Sequence, residues 1–324
     1  MLDVFLSAAI AMGVVYLFGS IGEIIIEKVG NLNLGIPGIM SLGALGGVVG
    51  AKIYVAVFTI DNIIPVLLIP IVIIFAFIFA ALGGLIYAFL TVTLQANQNV
   101  TGLILTTFGV GVMKFIGSNL VETDTDKINL TMISKGIKGL FSNYKDFGWF
   151  GEIFLSHGFL VYLAFILAIL VMLFLNKTRK GLFLRSIGES PQTADAQGIN
   201  VTKYKYLAIL IGSGIAGLGG LYYVLDNSGG TTFVEAAIEA FGWVSVALVI
   251  FSMWKPVVSI FGSIIFGGLY ILSSYINVSS MQLKLFEMLP YVVTVIVLIV
   301  TSIINNKNSQ PPQSLGVNYY REER

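Results

Sequence analysis

Apolar runs of about 20 residues recur from one end of this chain to the other, separated by short polar stretches. That length matches the roughly 20 residues a helix needs to cross about 30 Å of hydrocarbon. Backbone polar groups inside lipid must be paired within the structure, and runs of this length achieve that as helices. Composition agrees, with 56% hydrophobic and 11% charged residues and a mean hydropathy of +0.92, where soluble domains carry about 25% charged residues. The expected fold is all-α, a polytopic transmembrane helical bundle of about nine spans with broken or re-entrant helices. The spans are expected near 4–21, 36–57, 65–92, 100–118, 158–176, 205–225, 240–254, 257–275 and 288–304, the seventh short enough to be half of a broken helix. Asp3 and the lack of any Lys or Arg before Lys28 argue against a cleaved leader, so the first run is counted as a span.

Sidedness follows from positive charge at the span ends. The loop 177–205 carries Lys177, Arg179, Lys180, Arg185, Lys203 and Lys205 against Glu189 and Asp195 alone, which places it in the cytoplasm. Alternation then puts the N-terminus, the long segment 119–157 and the acidic stretch 226–239 outside. The segment 93–99 and the tail with Arg321 and Arg324 fall inside. This divides the chain into a transmembrane domain over 1–304 and a cytoplasmic tail over 305–324, the latter expected to be a solvated extension because of Pro311 and Pro312 and its polarity. Lys114, near an outer span end, is expected to snorkel to the surface.

Much chemistry is excluded. With no cysteine there are no disulfides, thiolate metal sites or Cys nucleophiles. His157, the one histidine, makes neither a metal site nor a triad and is expected on the outer surface. Gly212-Ser-Gly-Ile-Ala-Gly217 has the letters of a dinucleotide fingerprint without the strand that must precede it, and its small residues read instead as a helix-packing seam. No phosphate-cradling Gly-x-x-x-x-Gly-Lys-Ser/Thr loop is present, so the chain binds no ATP in the usual way. No catalytic or metal-binding set is visible, and the net charge of +1 points to no nucleic-acid partner.

Two polar segments stand out against this apolar background. Residues 22–38 interrupt the first apolar block with glycines, Asn31, Asn33 and Pro37, and such breakers at membrane depth are tolerated where freed backbone groups face protein or a wet cavity. Transporters form substrate sites from such breaks, so Glu23, Asn31, Asn33 and Pro37 are candidate translocation-path residues; the alternative is an interfacial elbow. Intramembrane charge is otherwise scarce, with Glu27 and Lys28 expected as a headgroup-facing pair, and the handles left suit a small neutral polar solute. The second segment, 185–200, has a helix start at Ser190-Pro191 and a left-handed stop at Gly198. Its small Ala194 and Ala196 would let a cytoplasmic partner approach the backbone.

These segments carry a family resemblance. Gly22–Ala44 (GEIIIEKVGNLNLGIPGIMSLGA) resembles the N-terminal signature of permease subunits of ABC importers related to the branched-chain amino-acid and ribose permeases, nearest the nucleoside-type branch that works with basic-membrane-protein lipoproteins. Arg185–Val201 (RSIGESPQTADAQGINV) resembles the loop by which that family docks its ATPase, and Gly242–Pro256 (GWVSVALVIFSMWKP) its late apolar hairpin. The chain departs from the nucleoside-type pattern at Asn31 and Pro37. The resemblance implies coupling to the ATPase through Gly188, Glu189, Ala194, Asp195, Ala196 and Gly198. It also implies a second permease subunit, a cytoplasmic ABC ATPase that binds the ATP and magnesium, and an extracellular substrate-binding lipoprotein, at a bacterial plasma membrane. The implied role is a non-enzymatic permease for nucleosides; riboflavin or a simple sugar is the alternative solute, and a stand-alone channel or facilitator the alternative class.

Overall fold

The computed structural model describes residues 2–58, 63–121, 130–138, 147–230, 235–275, 280–304 and 310–320, and these are overwhelmingly helical. Helices α1 (Leu2–Lys28), α2 (Ile36–Phe58), α3 (Pro65–Ala88) and α4 (Gln98–Val121) come first, α3 ending in a π-turn over Phe89–Thr93. Short α5 (Leu130–Lys138) and α6 (Gly148–Phe150) precede α7 (Phe159–Lys177), α8 (Arg179–Glu189) and α9 (Pro191–Ala196). Then follow α10 (Val201–Tyr222), α11 (Glu235–Phe251), α12 (Pro256–Tyr275) and α13 (Ser280–Ile304). Every expected span coincides with a helix. Among the described residues six are long and apolar enough to cross a membrane: Leu2–Lys28, Ile36–Phe58, Pro65–Thr93, Gln98–Gly117, Phe159–Lys177 and Val201–Asn227. The seventh expected span, α11, is an unbroken helix of 17 residues.

The centre of the bundle is α1, α2 and α10, buried by α3, α11 and α12. With lipid outside there is little hydrophobic drive between helices, so close backbone approach through small residues holds them together. A methyl group at Gly22 would strike the Gly212 carbonyl of α10, and one at Gly43 would strike the Gly217 backbone. The 212–217 motif is therefore a packing seam. Outward faces remain apolar, as with Phe115 at 75% and Phe261 at 64% exposure, which suits a lipid solvent.

Connectors fall into two sets. One end of the bundle gathers the α1–α2 turn, the α3–α4 turn, α8, α9, the α11–α12 turn and residues 310–320. At the other end Ser7 meets Ser156 at 3.1 Å, the Ile64 N–H donates to Tyr54 at 2.7 Å, and Lys114 lies 3.6 Å from Glu235. This is the partition that alternating spans require.

Four expectations are revised. The interruption is shorter than 22–38, because α1 stays helical through Glu23 and Glu27 and the break occupies only Val29–Gly35. The tail is not a free extension, since residues 310–320 pack onto the bundle. His157 is only 7% exposed, and its Nε2 donates to the Ile153 carbonyl at 2.9 Å. Glu27 is buried and accepts a hydrogen bond from Trp254 Nε1 instead of facing headgroups beside Lys28. In the segment 119–157, Trp149 and Phe150 are exposed, while Phe141, like Arg321 and Arg324 of the tail, lies outside the described residues.

Candidate translocation and coupling sites

The break between α1 and α2 is a buried polar nest at the end of the bundle that carries α8, α9 and residues 310–320. Chain reversal starts at Gly30, whose φ of +89° is costly for any side chain, and Asn31 N–H still reaches the Ile26 carbonyl at 3.3 Å. The chain then climbs back alongside α1, so that the Asn33 N–H donates to Glu23 Oε1 at 3.2 Å. Asn33 Oδ1 accepts from the Gly35 N–H at 2.9 Å, an Asx turn that launches α2. Neighbouring helices supply the remaining partners. Tyr87 of α3 donates to the Leu32 carbonyl at 2.6 Å, Gln98 of α4 accepts from the Leu32 N–H at 2.8 Å, and Thr106 donates to the Leu34 carbonyl at 2.9 Å.

Backbone is thus largely satisfied while side chains are not. Glu23, Asn31 and Asn33 are each 0% exposed, yet Glu23 Oε2, both amide atoms of Asn31 and Asn33 Nδ2 have no hydrogen-bond partner. Each such group costs about 1–3 kcal/mol. Pro37 is different: it packs against Gly242 of α11, where an added methyl would meet its ring, and it presents no polar group. Three of the four candidate path residues therefore converge on one nest, and the fourth seats α2 on α11.

The candidate coupling segment is built from its own residues. Ser190 Oγ caps α9 by accepting from the Thr193 N–H at 3.3 Å, Pro191 occupies its first turn, and Gly198 ends the reversal with φ +80°. Asn200 then caps α10 through the Lys203 N–H at 2.9 Å. Gln192, Thr193, Ala196, Gln197 and Gly198 face outward, whereas Ala194 is 3% exposed and packs inward. Gly188 lies against the Lys28 carbonyl with no room for a side chain, and Glu189 is exposed.

Residues 310–320 join the two. The Ser314 N–H donates to the Gly188 carbonyl at 2.9 Å, and the Gly316 N–H to the Gly30 carbonyl at 3.2 Å. Asn318 Nδ2 donates to the Gln95 carbonyl at 2.6 Å and its Oδ1 accepts from Gln98 Nε2 at 3.0 Å. Tyr319 Oη donates to Asp195 Oδ2 of α9 at 2.8 Å. Sequence reasoning missed Tyr87, Gln98 and this strap. The polar pair Gln95 and Gln98 beside a span end was the available signal, but nothing local names its partners.

The fold is that of a polytopic α-helical membrane protein with a buried polar break and an exposed, self-capped helix at one end. Residues 5–298 match the branched-chain amino acid transport system permease component family, and the chain belongs to it, as a multi-pass plasma-membrane protein. It is 32% identical to the nucleoside ABC transporter permease protein NupC of Lactococcus lactis, over 95% of this chain and 93% of that one. The guanosine ABC transporter permease protein NupQ of Bacillus subtilis is 27% identical over 100% and 98% respectively. A provisionally named glucose ABC transporter permease protein of Haloferax volcanii, TsgC13, is 31% identical over 81% of this chain and 74% of its own. No solved structure matches the chain.

Proposed function

We propose that this chain is the transmembrane permease subunit of an ATP-driven ABC importer for nucleosides, with residues 1–304 as the permease domain and 305–324 as its cytoplasmic tail. The observation that carries the ATP-driven reading is α9: a short helix with its own caps, an outward face of small and amide side chains, and no phosphate-binding loop elsewhere in the chain. It receives force from a partner ATPase through Gly188, Glu189, Ala194, Asp195, Ala196 and Gly198. Exposed Ala196 and Gly198 form the contact, and buried Ala194 seats the helix. A second permease subunit and an external substrate-binding lipoprotein complete the importer.

Solute recognition is assigned to Glu23, Asn31 and Asn33. Their unpartnered carboxyl and amide atoms offer acceptors and donors to the base edge or ribose hydroxyls of a neutral nucleoside once the helices around the nest part. Pro37 supports this by holding the start of α2 on α11. A sugar is the second reading, favoured by the Haloferax relative. Uptake by proteoliposomes containing the assembled importer, challenged with nucleosides, riboflavin and glucose, decides between them: competition by nucleosides alone supports the reading, and competition by glucose alone overturns it.

The end that carries α8 and α9 is placed in the cytoplasm, with the N-terminus outside, because Lys and Arg concentrate there. A single cysteine replacing exposed Gln192 should react with impermeant thiol reagents from the cytoplasmic side only, and one replacing exposed Glu152 from outside only. Reversed labelling would invert the topology.

A further inference from the structure

The strained turn between α11 and α12 is used neither by the solute nest nor by α9. Met253 (φ 53°) and Trp254 (φ 56°) are consecutive non-glycine residues in the left-handed region, an arrangement that costs about 1–3 kcal/mol per residue and persists only where its surroundings impose it. Here the Trp254 N–H reaches the Val249 carbonyl at 3.2 Å and Trp254 Nε1 is held by Glu27. The result is that Lys255 projects into a crevice of about 660 Å³ between the ends of α7, α8 and α12.

Three cations line this crevice: Lys28 from the end of α1, Arg185 from α8 and Lys255 from the turn. Glu189 is the one acid among its lining residues. Among the described residues none of the three cations lies within ion-pair distance of a carboxylate, and Arg185 Nε is buried without a hydrogen-bond partner. Glu189 and Glu27 offset part of the charge at Lys28, but three cations against one lining carboxylate leave the crevice net positive, and a guanidinium Nε left buried and unpaired is costly, so the arrangement calls for an anion. The walls say which kind. Charged groups sit at the helix ends, whereas Met172 and Leu175 of α7 and Val257 and Val258 of α12 form the apolar part of the lining. Beyond them the exposed side chains Ile169, Phe261 and Ile265 continue the apolar face. That order, cationic at the surface and apolar below, is the order of a phospholipid.

We propose that this crevice binds an anionic phospholipid, its phosphate held by Lys28, Arg185 and Lys255 and its acyl chains lying along α7 and α12. Basic pockets between transmembrane helices recognise head groups in this way. The site is independent of which solute the permease carries. A free phosphate shares the head-group chemistry but has nothing to place on the apolar walls, and that difference separates the two sources.

Native mass spectrometry of the purified full chain tests the assignment, with phosphatidylglycerol and phosphatidylcholine of matched chains as probes and inorganic phosphate as competitor. Phosphatidylglycerol should bind at roughly tenfold lower concentration than phosphatidylcholine, and millimolar inorganic phosphate should leave it in place. Arg185→Gln with Lys255→Gln should weaken phosphatidylglycerol binding roughly twenty-five-fold, about fivefold for each cation removed, and leave phosphatidylcholine binding unchanged. Should the double variant fold poorly, Lys255→Gln alone, on an exposed side chain, should still give the fivefold loss. Equal binding of the two lipids, or undiminished phosphatidylglycerol binding in a folded variant, would refute the site. Displacement by inorganic phosphate would make it a simple anion site and overturn the lipid assignment.

Discussion

The α1–α2 break and the α9 segment are both short polar interruptions of an apolar chain, and they are stabilised in opposite ways. In α9 each capping need is met within a few residues: Ser190 serves Thr193, Asn200 serves Lys203, and Gly198 supplies the positive φ. The break draws its partners from Tyr87, Gln98, Thr106 and Gly316, and the nest it forms with Glu23 still leaves four polar side-chain atoms unpaired. A segment that satisfies itself can sit on the surface and be pressed by a partner without unravelling. A segment satisfied by its neighbours responds when those neighbours move. The first geometry suits a force receiver, the second a gate that reads the arrangement of the bundle.

The comparison predicts that a change in α9 acts on function and not on stability. Ala196→Arg places a long charged side chain on the exposed face of α9, where surface substitutions shift stability by no more than about 0.5 kcal/mol. At a packed docking surface the same change should cost 2 kcal/mol or more, so ATP-driven uptake should fall by at least about tenfold while the melting temperature holds. Unchanged uptake would remove α9 from the mechanism. Ala194→Arg is the contrasting change, because its buried side chain makes it a folding defect.

Within the break, the two asparagines should separate. Asn33 accepts from the Gly35 N–H, so Asn33→Leu leaves a buried donor unpaired and should lower stability by about 1–3 kcal/mol, measured by thermal denaturation in detergent. Asn31 makes no side-chain bond that leucine would remove. Asn31→Leu should therefore fold at least as well as wild type while losing about fivefold or more in uptake or changing solute preference. If both variants melt lower with unaltered kinetics, the nest is scaffolding and the solute passes elsewhere.

How much of this was legible in the sequence follows from the same contrast. Spans were legible because lipid forces apolar runs into helices, and the caps of α9 because Ser190, Pro191 and Gly198 act over one helical turn. The exact break was not, since the letters of 22–38 show breakers but not that Glu23 and Glu27 find partners in Asn33 and Trp254, which lets α1 run on to Lys28. Nor was the strap, where a polar, proline-containing tail reads as solvated until Gly188, Gly30 and Gln98 are seen to offer it bonding partners. Ala194 shows the limit within one helix: its size suggested a docking face, and only packing shows that it points inward.

The strap touches both regions, so weakening it tests whether they communicate. Tyr319→Phe deletes the hydroxyl that donates to Asp195 and should cost about 1 kcal/mol at that contact. If the strap transmits the position of α9 to the nest, solute moved per ATP hydrolysed should drop by up to about fivefold, less than for Ala196→Arg, with assembly intact. A coupling ratio equal to wild type would leave α9 and the break mechanically separate.

The smallest effect is expected at the opposite end, where His157 supplies a reference that is buried like Asn31 but has a side-chain hydrogen bond. Its Nε2 donates to the Ile153 carbonyl, which fixes the neutral tautomer, and burial lowers its pKa from the ordinary 6.5. The sign follows from proton counting: below 6.5 the unfolded chain binds a proton that the folded chain refuses, so unfolding gains as pH falls. The stabilising contribution is present above 6.5 and is lost progressively as pH drops below it. Melting temperatures measured between pH 8 and 5 should therefore fall more steeply for wild type than for His157→Gln, and uptake at neutral pH should be alike in the two. Parallel melting curves would mean that His157 is not sealed off, and would weaken the view that burial without a bonding partner, rather than burial alone, marks the functional nest.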